Sequence, residues 1–351
     1  MTQPRRYLAI SLLSALIAAG LWYWMRPAPA TKAPSTSSSY SVALAQAHNG
    51  QPGAARVLYQ QLARTDLSDI RRASLHAELP NYPSPQALKL ADADLLHPSP
   101  LVRQAAIQSI AGLVPNAQRT LLLGPLLDDP EQSVRFTAAS ALLGLSPDEQ
   151  GLYFAPLQQV IDEYERDLKT RPDDPQAQGQ LARLYLHEGQ LDEAQAALEK
   201  VTALDPENLK AVVAQVELLD KRGQTDRARE LLARQLEEHP ESAYLQHALG
   251  IWLLNHGQTE YALLGLAKAV ELEPDNSDYR YKLAIALHDL DQLEAAQRQL
   301  EELLQRQPAN RKARVLLIRY WKESGQIQNV QVLLAQMEQL NPDDPALQQG
   351  L

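Results

Sequence analysis

Six prolines stand 34 residues apart, at Pro172, Pro206, Pro240, Pro274, Pro308 and Pro342. A fixed period of this length restricts a chain to stacked supersecondary units, because each unit buries its apolar face only against its neighbours. Two residues after each proline comes Asp174, Asn208, Ser242, Asn276, Asn310 or Asp344. All are favoured N-caps, whose side-chain oxygens accept the free amide hydrogens of a first helical turn. Pro175 and Pro345 follow directly, at the first helical position, where a missing N–H costs nothing. Each proline therefore closes one helix and each cap opens the next. Midway lie Gly189, Gly223, Gly257, Asp291 and Gly325, again 34 apart and each followed by Gln. Gly and Asp tolerate the left-handed conformation that ends a helix.

The small residues Ala194, Ala228, Ala262, Ala296 and Val330 come five positions after these turns, followed by Leu198, Leu232, Leu266, Leu300 and Leu334. Leu181, Leu249, Leu283 and Leu317 mark the preceding helix, with Gln215 the one departure. This pattern resembles the tetratricopeptide repeat (TPR), with five units over 173–342. Leu157 to Arg171 reads as a lone second helix stacked before unit one, inside a connecting stretch 151–172. Residues 343–351 are too short for a full capping helix. The expectation is that this end frays, or that Leu340 and Leu347 meet a partner.

A second array has a period of 32: Ile70-Arg71, Val102-Arg103 and Val134-Arg135, with Pro98 and Pro130 at the same spacing. Its best unit runs from Asp128-Asp129-Pro130 through Val134-Arg135 to Ala138-Ala139 and Ala141-Leu142. It resembles short HEAT-type repeats over 41–150, although the common HEAT period is longer, ~40–47 residues. The resemblance implies that Asp-Pro opens a helix and that the Arg pairs along the stack. Ser41 to Arg64 holds a further helix pair around His48-Asn49-Gly50-Gln51-Pro52-Gly53, either a degenerate TPR unit or a cap.

Ahead of the arrays, Tyr7 to Met25 contains no charge. A helix needs ~20 apolar residues to cross a bilayer. Arg5 and Arg6 precede the run, Arg26 follows it, and Trp22, Tyr23 and Trp24 sit at its far end, where amphipathic rings prefer the headgroup level. Ala28-Pro29-Ala30 offers a cleavage site, but the run exceeds the ~7–15 residues of a signal-peptide core. The expectation is an uncleaved single-pass signal anchor at 7–25, after an N-terminal tail at 1–6. Residues 26–40, rich in Pro and Ser, form a linker. The positive-inside rule then places the body outside the cytoplasm, in the periplasm on the inner membrane if the cell is Gram-negative. A cytosolic body on the membrane is the alternative.

The whole reads as an all-α, right-handed α-solenoid of HEAT-like and TPR helix pairs behind one transmembrane helix. Composition narrows its function. The net charge is -10, and residues 1–65 hold six cations and no acid, so the body is strongly acidic. Phosphate-backbone binding needs clustered Lys and Arg, so nucleic acid is not an expected partner. With no Cys in the chain, disulfides, Cys-ligated zinc, iron–sulfur clusters and covalent haem are excluded. The eight histidines make no HExxH or other close ligand spacing, and no phosphate-binding or nucleophile-elbow motif is present. The sequence therefore offers no catalytic, metal or cofactor site.

What remains is a binding surface for a protein or peptide. In the TPR family the first helix of each unit lines a concave groove. By that resemblance the candidate residues are Tyr244, His247, Ile251, Leu254, Tyr281, Ile285, His288, Lys312, Arg319 and Lys322. The middle of this groove is aromatic and aliphatic, and its last unit is basic. The competing reading makes Ile251 and Ile285 inter-unit core. A carboxylate clamp of the kind some chaperone-binding TPR proteins carry would need cations at inner positions of the first units, where Gly179 and Val213 stand. The order of arrays is similar to the C-terminal half of some bacterial multihaem cytochrome c proteins, whose CxxCH motifs this chain lacks. The functions implied are a scaffold for folding or assembly of envelope complexes, an accessory factor of a cytochrome c or respiratory system, or a self-associating structural protein.

Overall fold

The computed structural model describes residues 39–348; the proposed anchor at 7–25 lies outside the described residues. Among the described residues every regular element is helical, and no helix is long and apolar enough to cross a membrane. The first pair is α1 (Tyr40–His48) and α2 (Ala54–Leu62). Then come α3 (Asp69–Glu78), α4 (Pro85–Asp94), α5 (Pro100–Leu113), α6 (Asn116–Leu123), α7 (Gln132–Leu142), the single turn α8 (Pro147–Gln150) and α9 (Phe154–Lys169). The five 34-residue units follow as α10 (Pro175–Glu188) with α11 (Leu191–Leu204), α12 (Leu209–Lys221) with α13 (Thr225–Glu238), and α14 (Ala243–Asn255) with α15 (Thr259–Leu272). The last two are α16 (Ser277–Asp289) with α17 (Leu293–Arg306), and α18 (Arg311–Glu323) with α19 (Ile327–Leu340), before a final turn α20 (Pro345–Gln348).

Local chemistry sets these boundaries. Each of the six caps accepts a backbone N–H, as from Gln176 to Asp174 (2.9 Å), Ala313 to Asn310 (3.0 Å) and Ala346 to Asp344 (2.9 Å). The turns at Gly189, Gly223, Gly257, Asp291 and Gly325 all have positive φ, between 58° and 74°. A further tie keeps the period. Six residues after a proline, a side chain donates back to its carbonyl: Gln246 to Pro240 (3.3 Å), Arg280 to Pro274 (3.5 Å) and Arg314 to Pro308. The inter-unit turns thus have their carbonyls satisfied by the helices that follow them. Ala194, Ala228, Ala262 and Ala296 are fully buried, and Leu198, Leu232, Leu266 and Leu300 almost so.

In the 32-residue array α3, α5, α7 and α9 stack side by side. Ion pairs run along this row: Arg72 Nε to Asp94 (2.7 Å), Arg103 Nη2 to Asp129 (2.8 Å), and Arg135 to Glu163. Each arginine also holds the carbonyl of the turn before its helix, at Arg64, at His97 and Pro98, and at Asp129 and Pro130. In the first unit this role falls to Arg72, not to the expected Arg71. Arg71 lies instead over the ring of Tyr40, 5.3 Å from its centroid. The helix phase shifts by one residue because α3 carries Arg at both positions, and only Arg72 reaches Asp94. The α9 helix joins the two arrays, packing on α7 through Phe136 and Tyr164 (centroids 4.4 Å apart) and on α10.

The C-terminal end is packed on the rest of the chain as far as residue 348, the last one described. Leu347 packs on the core of units three to five. Leu340, only 5% exposed, and Ala309 belong to the core that holds Ala47, Tyr59 and Tyr82 of the N-terminal helices. The amide of Gly53 donates to Gln339 O (2.7 Å), and Asn341 Nδ2 donates to Pro83 O (2.7 Å) across 258 residues of sequence. Gly50, with φ +56°, sits so close that a Cβ would lie 2.8 Å from Ala309 N. The first helix pair therefore covers the end of unit five, through its turn and through the apolar core it shares with Leu340 and Ala309.

Candidate partner-binding surface

The first helices of units three to five, α14, α16 and α18, carry the candidate groove residues. Their apolar periodicity is wide, so one part of each helix faces core and a flanking strip is left half-covered. Ile251, Leu254, Tyr281, Ile285, Val315 and Trp321 are all half-buried, each packed by one side on the core of units three to five. Ile251 and Ile285 thus serve as core and as surface together. Tyr244 is half-buried as well, and burial raises the pKa of its phenol and of Tyr281. Trp321 was absent from the sequence candidates. Trp321 keeps its indole Nε1 buried without a hydrogen-bond partner, and its spacing of four residues from Leu317 was the signal available.

The two histidines expected in the groove are stacking partners between neighbouring first helices. His247 lies on Tyr279 with centroids 4.6 Å apart, and His288 lies on Tyr320 at 4.2 Å with the rings nearly parallel. The two pairs occupy different positions of the repeat, one near the start and one near the end of the first helices. Burial, aided by the nearby Lys282, lowers the pKa of His247. His288 Nε2 also meets Glu323 at 2.9 Å. Burial pushes the Tyr320 phenol up to about 12.

Beyond this strip the surface turns basic. The α18 helix reads RKARVLLIRYWKE, with five cations and one acid in an acidic chain. Arg311 grips Asp344 through two 2.7 Å hydrogen bonds, and the buried Arg314 holds Pro308 O. Lys312, Arg319 and Lys322 are exposed. Arg319 lies close enough to Tyr281 to oppose part of the burial effect on its phenol. The structure therefore sets half-covered aromatic and aliphatic side chains beside exposed cations, which suits a ligand with apolar side chains and negative charge.

Another cluster has the connectivity of a hydrolase triad without its accessibility. His76 Nδ1 is 3.0 Å from Ser109 Oγ, and His76 Nε2 is 2.8 Å from Asp94. All three residues are buried, and Ser109 donates its own proton to His76 O (2.8 Å). A nucleophile must be reachable and must hand its proton to the base. This cluster instead ties α3, α4 and α5 together. Among the described residues no three His, Asp or Glu converge in a geometry suited to a metal ion.

Sequence profiles of the tetratricopeptide repeat match residues 157–206, 186–250 and 266–298. No curated protein matches the chain. Solved structures with similar folds include YrrB, described as a TPR protein with an unusual peptide-binding site (18% identity, 54% of this chain and 98% of that one, TM-score 0.37). MamA from MSR-1 is another (22% identity, 51% of this chain and 95% of that one, TM-score 0.36), as is a further MamA structure (18% identity, 47% and 91%, TM-score 0.38).

Proposed function

We propose that the chain, whose residues 157–250 and 266–298 match tetratricopeptide-repeat profiles, is a scaffold whose first-helix surface in units three to five captures a segment of another protein. One observation carries this reading: Ile251, Leu254, Tyr281 and Ile285 are half-covered, and the exposed Arg319 lies close to Tyr281. Apolar side chains of the partner would anchor on the former, and its acidic residues would meet the latter. Affinity in such sites comes from a few well-packed anchors rather than from area. The uncharged run 7–25 supports anchoring of this scaffold in a membrane, with the body in the periplasm and envelope complexes as its clients.

The test is photocrosslinking in cells from a probe at position 281, with a control probe at position 298 on α17. A specific protein adduct at 281 alone supports the reading. Replacing Ile251 and Tyr281 by Asp should abolish that adduct from a probe at 254 while helix content stays unchanged. Capture that survives both substitutions refutes the groove.

A further inference from the structure

At the joint between the two ends of the array, the turn at Gly50 and Gly53 meets Pro308, Ala309 and the last residues of α19, beside a core in which Leu340 joins Ala47 and Tyr59. Two hydrogen bonds cross it, Gly53 N to Gln339 O and Asn341 Nδ2 to Pro83 O, together with the close approach of Gly50 to Pro308 and Ala309. It also encloses polar groups that are poorly matched. Asn341 Oδ1 is buried with no partner. The Arg314 guanidinium is buried with only a backbone carbonyl in reach of its hydrogen bonds, and burial lowers its pKa. A buried polar group left unsatisfied weakens the contact that encloses it. Opening the joint would hydrate these groups and break no helix pair.

Position matters as much as strength. In a stack where each unit touches only its neighbours, a small change of angle at each interface adds up along the array. The sum appears at the ends, where this joint sits. The α18 helix touches both places: Arg314 is buried near Tyr82 at the joint, and Arg319 lies close to Tyr281 of the proposed groove.

We propose that the joint is a clasp. It opens as a separate event while both arrays stay folded, and while shut it sets the curvature of the five units and the spacing of the groove side chains. The opening stands on the joint alone; only the word groove rests on the function proposed above, so either can fail without the other.

The measurement is hydrogen exchange of the full-length chain, resolved at the Gly53 amide, with Ile110 and Leu283 as amides of the two arrays. Separate opening makes Gly53 exchange at least about 100-fold faster than both references, since local openings fall well below global unfolding in free energy. Gly50→Ala pushes a Cβ against the Ala309 backbone and should speed Gly53 at least tenfold more, roughly, leaving the references unchanged. Asn341→Ala, which adds no bulk, should act in the same direction. Gly53 exchanging as slowly as Ile110, or all three amides accelerating together, overturns the clasp. Because the chain has no Cys, spin labels can be placed at Cys substituted for Lys210 and Lys312. Their distance distribution should widen in Gly50→Ala. An unchanged distribution alongside faster Gly53 exchange overturns the control of curvature.

Discussion

Replacing Gly265 by Ala tests how closely the two helices of unit three must approach. Within a helix, Gly→Ala normally stabilises by about 1 kcal/mol, because the backbone loses less freedom on folding. Gly179 in α10 has nothing within 4 Å of a new Cβ, so Gly179→Ala should realise that gain in full. At Gly265 the new Cβ would lie 2.8 Å from Gln246 O and 3.2 Å from Gly250 N, both backbone atoms of α14. Neither can rotate away, so α14 and α15 must part by roughly half an ångström, which forfeits a quarter to a half of the dispersion energy of the atom pairs affected. Overpacking of this kind costs about 1–3 kcal/mol. The propensity gain offsets about 1 kcal/mol of it, leaving Gly265→Ala neutral to destabilising by about 2 kcal/mol. The two variants should therefore differ by roughly 1–3 kcal/mol, with Gly179→Ala the more stable. Urea denaturation with an unchanged slope reads this difference from the midpoints. A Gly265→Ala variant as stable as Gly179→Ala would refute the idea that backbone contact sets this crossing.

Two further outcomes follow from the ion pairs. Asp129→Ala leaves the buried Arg103 guanidinium without its carboxylate (side chains 9% and 6% exposed) and should cost about 3–5 kcal/mol in urea denaturation. Asp192→Ala removes a 93% exposed carboxylate from the half-covered Arg222 and should cost less than about 1 kcal/mol; equal losses would contradict the reasoning. Acid should loosen the N-terminal array through Asp94. Burial pushes its carboxyl up, but hydrogen bonds from His76 and Arg72 together outweigh this and hold its pKa below the usual carboxylate value. A pKa depressed in the folded state gives stability that is present above the unfolded value near 4 and is lost as pH falls through the folded value. Melting curves from pH 6 to 3 should fall less steeply for Asp94→Asn than for the parent, and parallel slopes would rule Asp94 out as the source.

Most of the repeat architecture was legible before any coordinates, because it is written in short-range chemistry. The caps at Asn208, Ser242, Asn276 and Asn310 act within three residues, and Asp291 adopts the same left-handed turn as its glycine counterparts. Burial of Ala194 and its equivalents follows from a spacing that any stacked pair must respect. The candidate surface was only partly legible. Whether Ile251 and Ile285 are core or groove depends on a rotation of less than one residue, and both turn out half-buried. Pattern alone could not see that His247 and His288 stack on Tyr279 and Tyr320, since each partner belongs to the next unit.

The period of 34, the helix boundaries and the absence of thiol chemistry were settled by the order of residues, because propensity, capping and composition act locally or on the chain as a whole. The choice of Arg72 over Arg71, the close crossing at Gly250 and Gly265, and the meeting of Gly50, Gly53 and Pro83 with Pro308, Gln339 and Asn341 were not. Such contacts depend on the sum of many small inter-unit rotations, and no residue near either end of the chain encodes that sum.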